Sequence, residues 1–219
     1  MGKAINLLRN YSKSKRNLKK RAQIKTQKIR SVARKFGKEF FDGDRKHGYG
    51  GFYYNPKYWK SVIPDLKEYW KLDSSSSVLD VGCAKGFFLY DLKKKIPKIK
   101  VAGVDISKYA IKEGAKEIKK FLKVCSADKL PFKDNSFDYV ISINTIHNLP
   151  KKRCEKALTE INRVAKKKSF ITVDAYRNNK EKKRMYDWNL TAKTILSVKN
   201  WKKLFKKNNF KGDYYWFIP

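Results

Sequence analysis

The stretch Val78-Leu79-Asp80-Val81-Gly82-Cys83-Ala84-Lys85-Gly86 decides the fold. A short apolar strand ends in glycines, and Phe87 to Lys95 then reads as a helix stopped before Pro97. A strand that feeds a helix through a glycine turn is the opening unit of an α/β chain. Glycines at such a turn let the backbone approach a bound group closely. The helix start behind it offers free N–H groups to a carboxylate or phosphate. Alone, the pattern Asp80-x-Gly82-x-x-x-Gly86 suits a dinucleotide as well as an adenosyl cofactor, and Ala84 stands where both would place a middle glycine.

Downstream the alternation continues. Lys100 to Ile106 reads as a second strand, and Ser107 as the N-cap of a helix to about Lys120. Val124 to Ala127 is a third strand, Phe137 to Ile143 a fourth and Ser169 to Ala175 a fifth. A helix over Pro150 to Ala165 places Ala157, Leu158, Ile161 and Val164 on one side. Helices near 179–190 and 199–208 precede a terminal strand or hairpin over Phe210 to Ile218. Strands alternating with helices predict a Rossmann-like α/β fold, with a mostly parallel sheet covered by helices on both faces. Its ligand site lies at the carboxyl ends of the strands.

Upstream the character differs. Residues 1–41 hold fourteen Lys or Arg and one acid, Glu39, and read as a basic, solvated helical extension or arm. Residues 42–55 interleave glycines with Tyr49, Phe52, Tyr53 and Tyr54, a pattern no regular helix tolerates. A helix near 57–71 follows, kinked or split by Pro64. The expected division is a basic arm (1–41), a Gly/aromatic lid with a helix (42–72) and a catalytic domain (73–219).

Charge is the most unusual bulk property: 54 Lys and Arg against 20 Asp and Glu, a net +34. One reading is affinity for nucleic acid or an anionic surface. The other is compositional drift, since the lysines are spread over almost every predicted exposed face. Cys83, Cys125 and Cys154 show no CxxC spacing, which fits reduced thiols and predicts no metal site. No apolar run approaches the roughly 20 residues needed to cross a bilayer, and no apolar leader is present, so a cytoplasmic protein is expected.

Acids are scarce, yet Asp80, Asp105, Asp128 and Asp138 all fall beside predicted strands, three at carboxyl ends. Asp105 is placed to accept from both hydroxyls of a ribose, and Asp128 from an adenine amino group. Asp138 fits a ligand role or a structural one equally.

Several segments then resemble one family in order. Val78 to Cys83 resembles the first motif of class I S-adenosylmethionine (SAM)-dependent methyltransferases, and Gly103-Val104-Asp105-Ile106-Ser107 the second. Leu130 to Val140 is similar to the approach to the fourth strand in the small-molecule branch, and Ile146-His147-Asn148-Leu149 to its close. Glu160-Ile161-x-Arg163-Val164 is similar to the helix before strand five. The resemblance implies a seven-stranded sheet with one antiparallel strand, supplied by 210–218. It implies SAM as cofactor, bound by Asp80, Gly82, Cys83, Ala84, Gly86, Asp105, Ile106, Ala127, Asp128 and Asn144. The block from Asp42 to Trp59 also resembles an uncharacterised bacterial subgroup, some of whose members appear beside surface-polysaccharide and nucleotide-sugar pathways.

For catalysis, His147 after strand four is a base candidate near neutral pH. Asn144 could orient substrate or cofactor, and Tyr176 and Arg177 follow strand five. His47, Tyr49, Tyr53 and Tyr54 form the expected lid. The activity expected is methyl transfer to an O or N acceptor on a small molecule, such as a sugar or nucleotide-sugar metabolite. The alternative is an RNA or protein methyltransferase docking through the basic arm. The segment Ile143-Asn144-Thr145-Ile146 carries no Asn-Pro-Pro-Tyr-type motif, which favours the small molecule.

Overall fold

In the computed structural model, which describes residues 1–12 and 22–219, seven strands form one sheet in the order β3-β2-β1-β4-β5-β6, with β7 also paired to β5. The strands are β1 (Ser77–Val81), β2 (Lys100–Asp105), β3 (Leu122–Val124), β4 (Phe137–Ile143), β5 (Ala165–Tyr176), β6 (Leu196–Ser197) and β7 (Asp213–Phe217). The helices are α1 (Gln27–Ala33), α2 (Lys38–Phe41), α3 (Ile63–Trp70), α4 (Phe87–Lys95), α5 (Lys108–Lys112), α6 (Lys151–Val164), α7 (Asn179–Trp188) and α8 (Val198–Lys207).

Strand alternation sorts side chains to two faces. On one face Leu79, Val140, Ile171 and Val173 pack with Ala157, Leu158 and Ile161 of α6 and Trp201 and Phe205 of α8. On the other, Val78, Ile141 and Phe170 meet Ile63, Leu66 and Trp70 of α3 and Leu89 and Leu92 of α4. Both faces are therefore covered, as a parallel sheet requires.

The strand order turns between β1 and β4. β2 and β3 run away on one side of β1, β4 and β5 on the other, all pairings parallel. The cleft opens at this switch point.

One expectation is corrected. β7 pairs β5 in parallel, with Phe170 opposite Asp213 and Asp174 opposite Phe217, so among the described residues no antiparallel strand completes the sheet. The connection explains it. β6 is only two residues long and sits beside Ala175 and Tyr176, at the carboxyl end of β5. The ten residues of α8 then carry the chain back to the amino end, and β7 must run forward again.

Shorter corrections have equally local causes. Pro64 lies in the first turn of α3, where a missing N–H costs nothing, so it starts that helix instead of kinking it. The helix capped by Ser107, whose Oγ accepts from the Ala110 N–H at 2.9 Å, ends at Lys112 just before Gly114. β5 begins at Ala165, because Lys166 to Lys168 extend the strand with their side chains in solvent.

The described parts of the basic N-terminal segment are fixed to the body. Ala4 pairs in parallel with Tyr214, and Asp213 accepts from the Lys3 N–H at 2.7 Å and from the Tyr69 hydroxyl at 2.9 Å. This covers the outer edge of β7. Lys25, Arg30 and Arg34 all donate to backbone carbonyls between Asp187 and Ala192. They cap the end of α7 and the loop beyond it, where carbonyls lack helical partners. Residues 13–21 of the expected arm lie outside the described residues.

Trp201 is fully buried, and its Nε1 donates to the Asp174 carbonyl at 2.9 Å. Trp201→Ala should cost about 3–5 kcal/mol in urea unfolding; a loss below about 1 kcal/mol would show that this face of the sheet packs differently.

Candidate active site

The cleft at the strand ends encloses about 930 Å³. Its floor includes Asp80, Gly82, Cys83 and Ala84 at the end of β1, Asp105 and Ile106 at the end of β2, and Ala127. Asn144, Thr145 and His147 after β4 border it, with Thr172 and Asp174 of β5. The expected cofactor residues thus converge, apart from Gly86 and Asp128, which are not in the lining.

Asp105 organises the floor. Its Oδ2 accepts from the Ala84 N–H and its Oδ1 from the Ser107 N–H, both at 2.8 Å. Ala84 sits at φ 49°, a left-handed conformation in which a Cβ is strained, and this hydrogen bond helps to hold it there. Gly82 has φ 92°, and a Cβ on it would lie 2.0 Å from Thr145 Oγ1, so only glycine lets the ends of β1 and β4 meet. Burial raises the Asp105 carboxyl, against the lowering effect of these N–H groups.

Asp80 is different. It is buried, and among the described residues its carboxylate has no hydrogen bond or ion pair. Burial, and next the charge of Asp105, push its carboxyl up to about 8. A carboxylate held dry and unpaired at the edge of a cleft is poised for a cation.

Asp128 faces another task. Arg153 grips it with Nε at 2.6 Å and Nη2 at 2.8 Å, and Ser126 Oγ donates to it as well. The Arg153 bonds, against burial, hold its carboxyl down to about 2. These bonds fasten the 125–128 turn to α6 and leave Ser126 and Ala127 in the cleft wall. Asp138 lies at the opposite end of the sheet, bonded to Ser77 and paired with Lys167.

His147 is buried, and both ring nitrogens face Asp174. Nδ1 accepts the Asp174 N–H at 3.1 Å, which leaves the proton on Nε2, 3.6 Å from the Asp174 carboxylate. Burial lowers its pKa, against the charge of Asp174. The imidazole is neutral, with no free lone pair for a substrate proton. Asn144, at φ 50°, accepts from Thr172 through Oδ1, which leaves its amide donors available. Tyr176 and Arg177 lie outside the cleft. Arg177 pairs with Glu181 at 2.8 Å in the first turn of α7, and Tyr176 faces Lys182 at 5.8 Å.

The Gly/aromatic block contributes Gly48, Gly51 and Phe52 to the lining of the cleft. Tyr49 and Tyr53 line it, whereas the Tyr54 hydroxyl donates to Asp91 at 2.6 Å and His47 stands 3.5 Å from Glu39, both away from the lining. The block is held by a node that sequence reasoning missed. Asp42 accepts from buried Lys85 and from the Tyr109 hydroxyl, each at 2.7 Å, and from the Phe52 N–H at 2.8 Å. Burial pushes the Asp42 carboxyl up, but these donors outweigh it and hold it below its usual range. Lys85 belongs to the glycine turn, so the Gly/aromatic block and that turn share one ion pair. The available signal was Asp42 itself, an acid among many bases.

A family model described as a methyltransferase domain matches residues 72–209. The demethylmenaquinone methyltransferase of Staphylococcus aureus is 34% identical over 116 residues, which cover 50% of this chain and 46% of that one. The malonyl-[acyl-carrier protein] O-methyltransferase of Legionella pneumophila is 36% identical over 75 residues, 32% of this chain and 26% of that one. The chain thus spans about half or less of the length of these curated relatives. The crystal structure of the YcgJ protein of Bacillus subtilis shares the fold, with a TM-score of 0.55 at 18% identity over 67% of this chain and 66% of that one. The chain belongs to the class I SAM-dependent methyltransferase family.

Two outcomes test the site's electrostatics. Asp80 releases its proton near 3.8 when unfolded but near 8 when folded, so the unfolded state binds fewer protons between those values and stability falls as pH rises through them. Asp80→Asn should flatten this fall in melting scans from pH 5 to 8; a variant with the wild-type slope would refute the assignment. Lys85→Ala strands Asp42 and should cost about 3 kcal/mol, with hydrogen exchange rising across residues 36–54; unchanged protection there would mean that the block is held by other contacts.

Proposed function

We propose that this chain transfers a methyl group from SAM to an oxygen or nitrogen of a small molecule. The observation that carries the reading is the pair of carboxylates at successive strand ends, Asp80 unpaired and Asp105 at the floor of one cleft. The donor set fits the cofactor. Asp80 would take its ammonium group, Asp105 its ribose hydroxyls, and the turn at Ser126 and Ala127 would flank its base.

SAM supplies a methyl group already activated on a sulfonium, so alignment is the protein's main task. Such positioning can lower a barrier by roughly 7–11 kcal/mol. Thr172 holds the Asn144 side chain at the end of β4, and His147 fixes that turn against Asp174. His147 is a positioning residue in this reading, since its Nδ1 lone pair is taken by the Asp174 N–H and its Nε2 already carries a proton. An acceptor amine would arrive neutral, or an acceptor hydroxyl would lose its proton to solvent. The cover built on Asp42, Tyr49 and Tyr53 limits water at the reacting centre.

A small acceptor is favoured over a docked RNA or protein. Lys25, Arg30 and Arg34 of the basic segment are engaged with backbone carbonyls of this same chain, which weakens their claim as a tether. The relatives' names, demethylmenaquinone methyltransferase and malonyl-[acyl-carrier protein] O-methyltransferase, specify no nucleic acid. A sugar or nucleotide-sugar acceptor is part of the same proposal.

Labelled SAM incubated with the enzyme and with metabolite and RNA fractions of the source cell should label the metabolites. Label in RNA alone would overturn the reading. Asp105→Ala should weaken SAM binding at least about a hundredfold in calorimetry, near 2.7 kcal/mol, and unchanged affinity would remove the ribose role.

A further inference from the structure

The cleft lining carries both signs of charge: besides Arg153, which pairs with Asp128, and Arg45, which donates to the Gly48 carbonyl, it holds three further cations. Its carboxylates, Asp80, Asp105 and Asp174, all lie at the strand ends. The outer wall, built from α7, the loop after it and the N-terminal segment, holds Arg34, Arg184 and Lys193. Among the described residues, none of these three has a carboxylate within 4.0 Å.

The three come from the residue after α1, from α7 and from the loop beyond it, and all line the cleft. Arg34 is half-buried after α1. Its Nε and Nη2 donate to the carbonyls of Thr191 and Ala192 at 3.3 and 3.2 Å. That satisfies donors but leaves the charge without a counter-ion. Lys193 follows directly, and its N–H donates to the His147 carbonyl at 3.0 Å, which sets it above the turn after β4. Arg184 lies one helical turn before Trp188 on α7. Behind this wall, burial first and the charge of Arg34 second lower the pKa of Arg30. Trp188 and Phe217 line the same region with ring centroids 5.2 Å apart.

Like charges along a concave wall repel unless an anion enters, and a cleft with low-dielectric sides focuses their field. We infer that Arg34, Arg184 and Lys193 form an anion subsite for the methyl acceptor, which carries a carboxylate or phosphate and lays a flat ring against Trp188 and Phe217. The inference rests on the methyltransferase reading for the word acceptor, but the subsite can be measured without it.

The test is calorimetric titration of phenyl phosphate, benzoate and neutral benzyl alcohol into the full chain at 150 mM salt, roughly the physiological strength at which distant charges are screened. S-adenosylhomocysteine is titrated separately. Phenyl phosphate or benzoate should bind at least about tenfold tighter than benzyl alcohol, or 1.4 kcal/mol. The anion that binds tighter identifies the headgroup. Arg184→Gln with Lys193→Gln should bring that anion down to the level of the alcohol, while Lys202→Gln with Lys206→Gln on the exposed side of α8 should not. Equal affinity for charged and neutral probes, or an equal loss in both double variants, would overturn the subsite. Failure of S-adenosylhomocysteine to bind while the anions behave as stated would sink the methyltransferase reading and leave the subsite standing.

Discussion

The cleft depends on the carboxylate of Asp105. With one oxygen on the Ala84 N–H and the other on the Ser107 N–H, it joins the turn after β1 to the start of α5. That bond supports Ala84 in a backbone region that would suit glycine better. It also brings a second negative charge close to Asp80, which raises the cost of keeping that group ionised. Fold and chemistry meet here. The same acid that closes a structural turn leaves its neighbour in need of a positive ligand.

The glycine turn, the strands after it and the helix faces were legible because short-range rules govern them. Apolar runs fix β1 and β4, Ser107 caps its helix, and acids at strand ends are conspicuous in so basic a chain. What was illegible depends on distance. The grip of Arg153 on Asp128 joins residues twenty-five positions apart, and no local pattern announces it. His147 reads as a free base until folding places both nitrogens against Asp174. The direction of β7 depends on which end of the sheet α8 delivers the chain to, and no local pattern encodes that.

The described basic residues of the N-terminal segment show how charge can serve the fold itself. Lysine and arginine usually signal solvent or a polyanion, but the carbonyls at a helix end are acceptors too. Lys25, Arg30 and Arg34 find such carbonyls on this chain between Asp187 and Ala192. Charge was thus used to bind the fold together, and composition alone cannot distinguish that use from an external one.

The pairing of Ala4 with Tyr214 has a bearing on how the molecule comes to be made. Lys3 and Asp213 lie 210 positions apart, so this clasp can close only after the strands and helices between them have been synthesised. Until then β7, once paired with β5, presents a bare strand edge to other chains. Joining points so far apart in sequence is also entropically slow. The interval before closure is therefore when the nascent protein is most exposed to edge-to-edge association, and the clasp is the step that ends it.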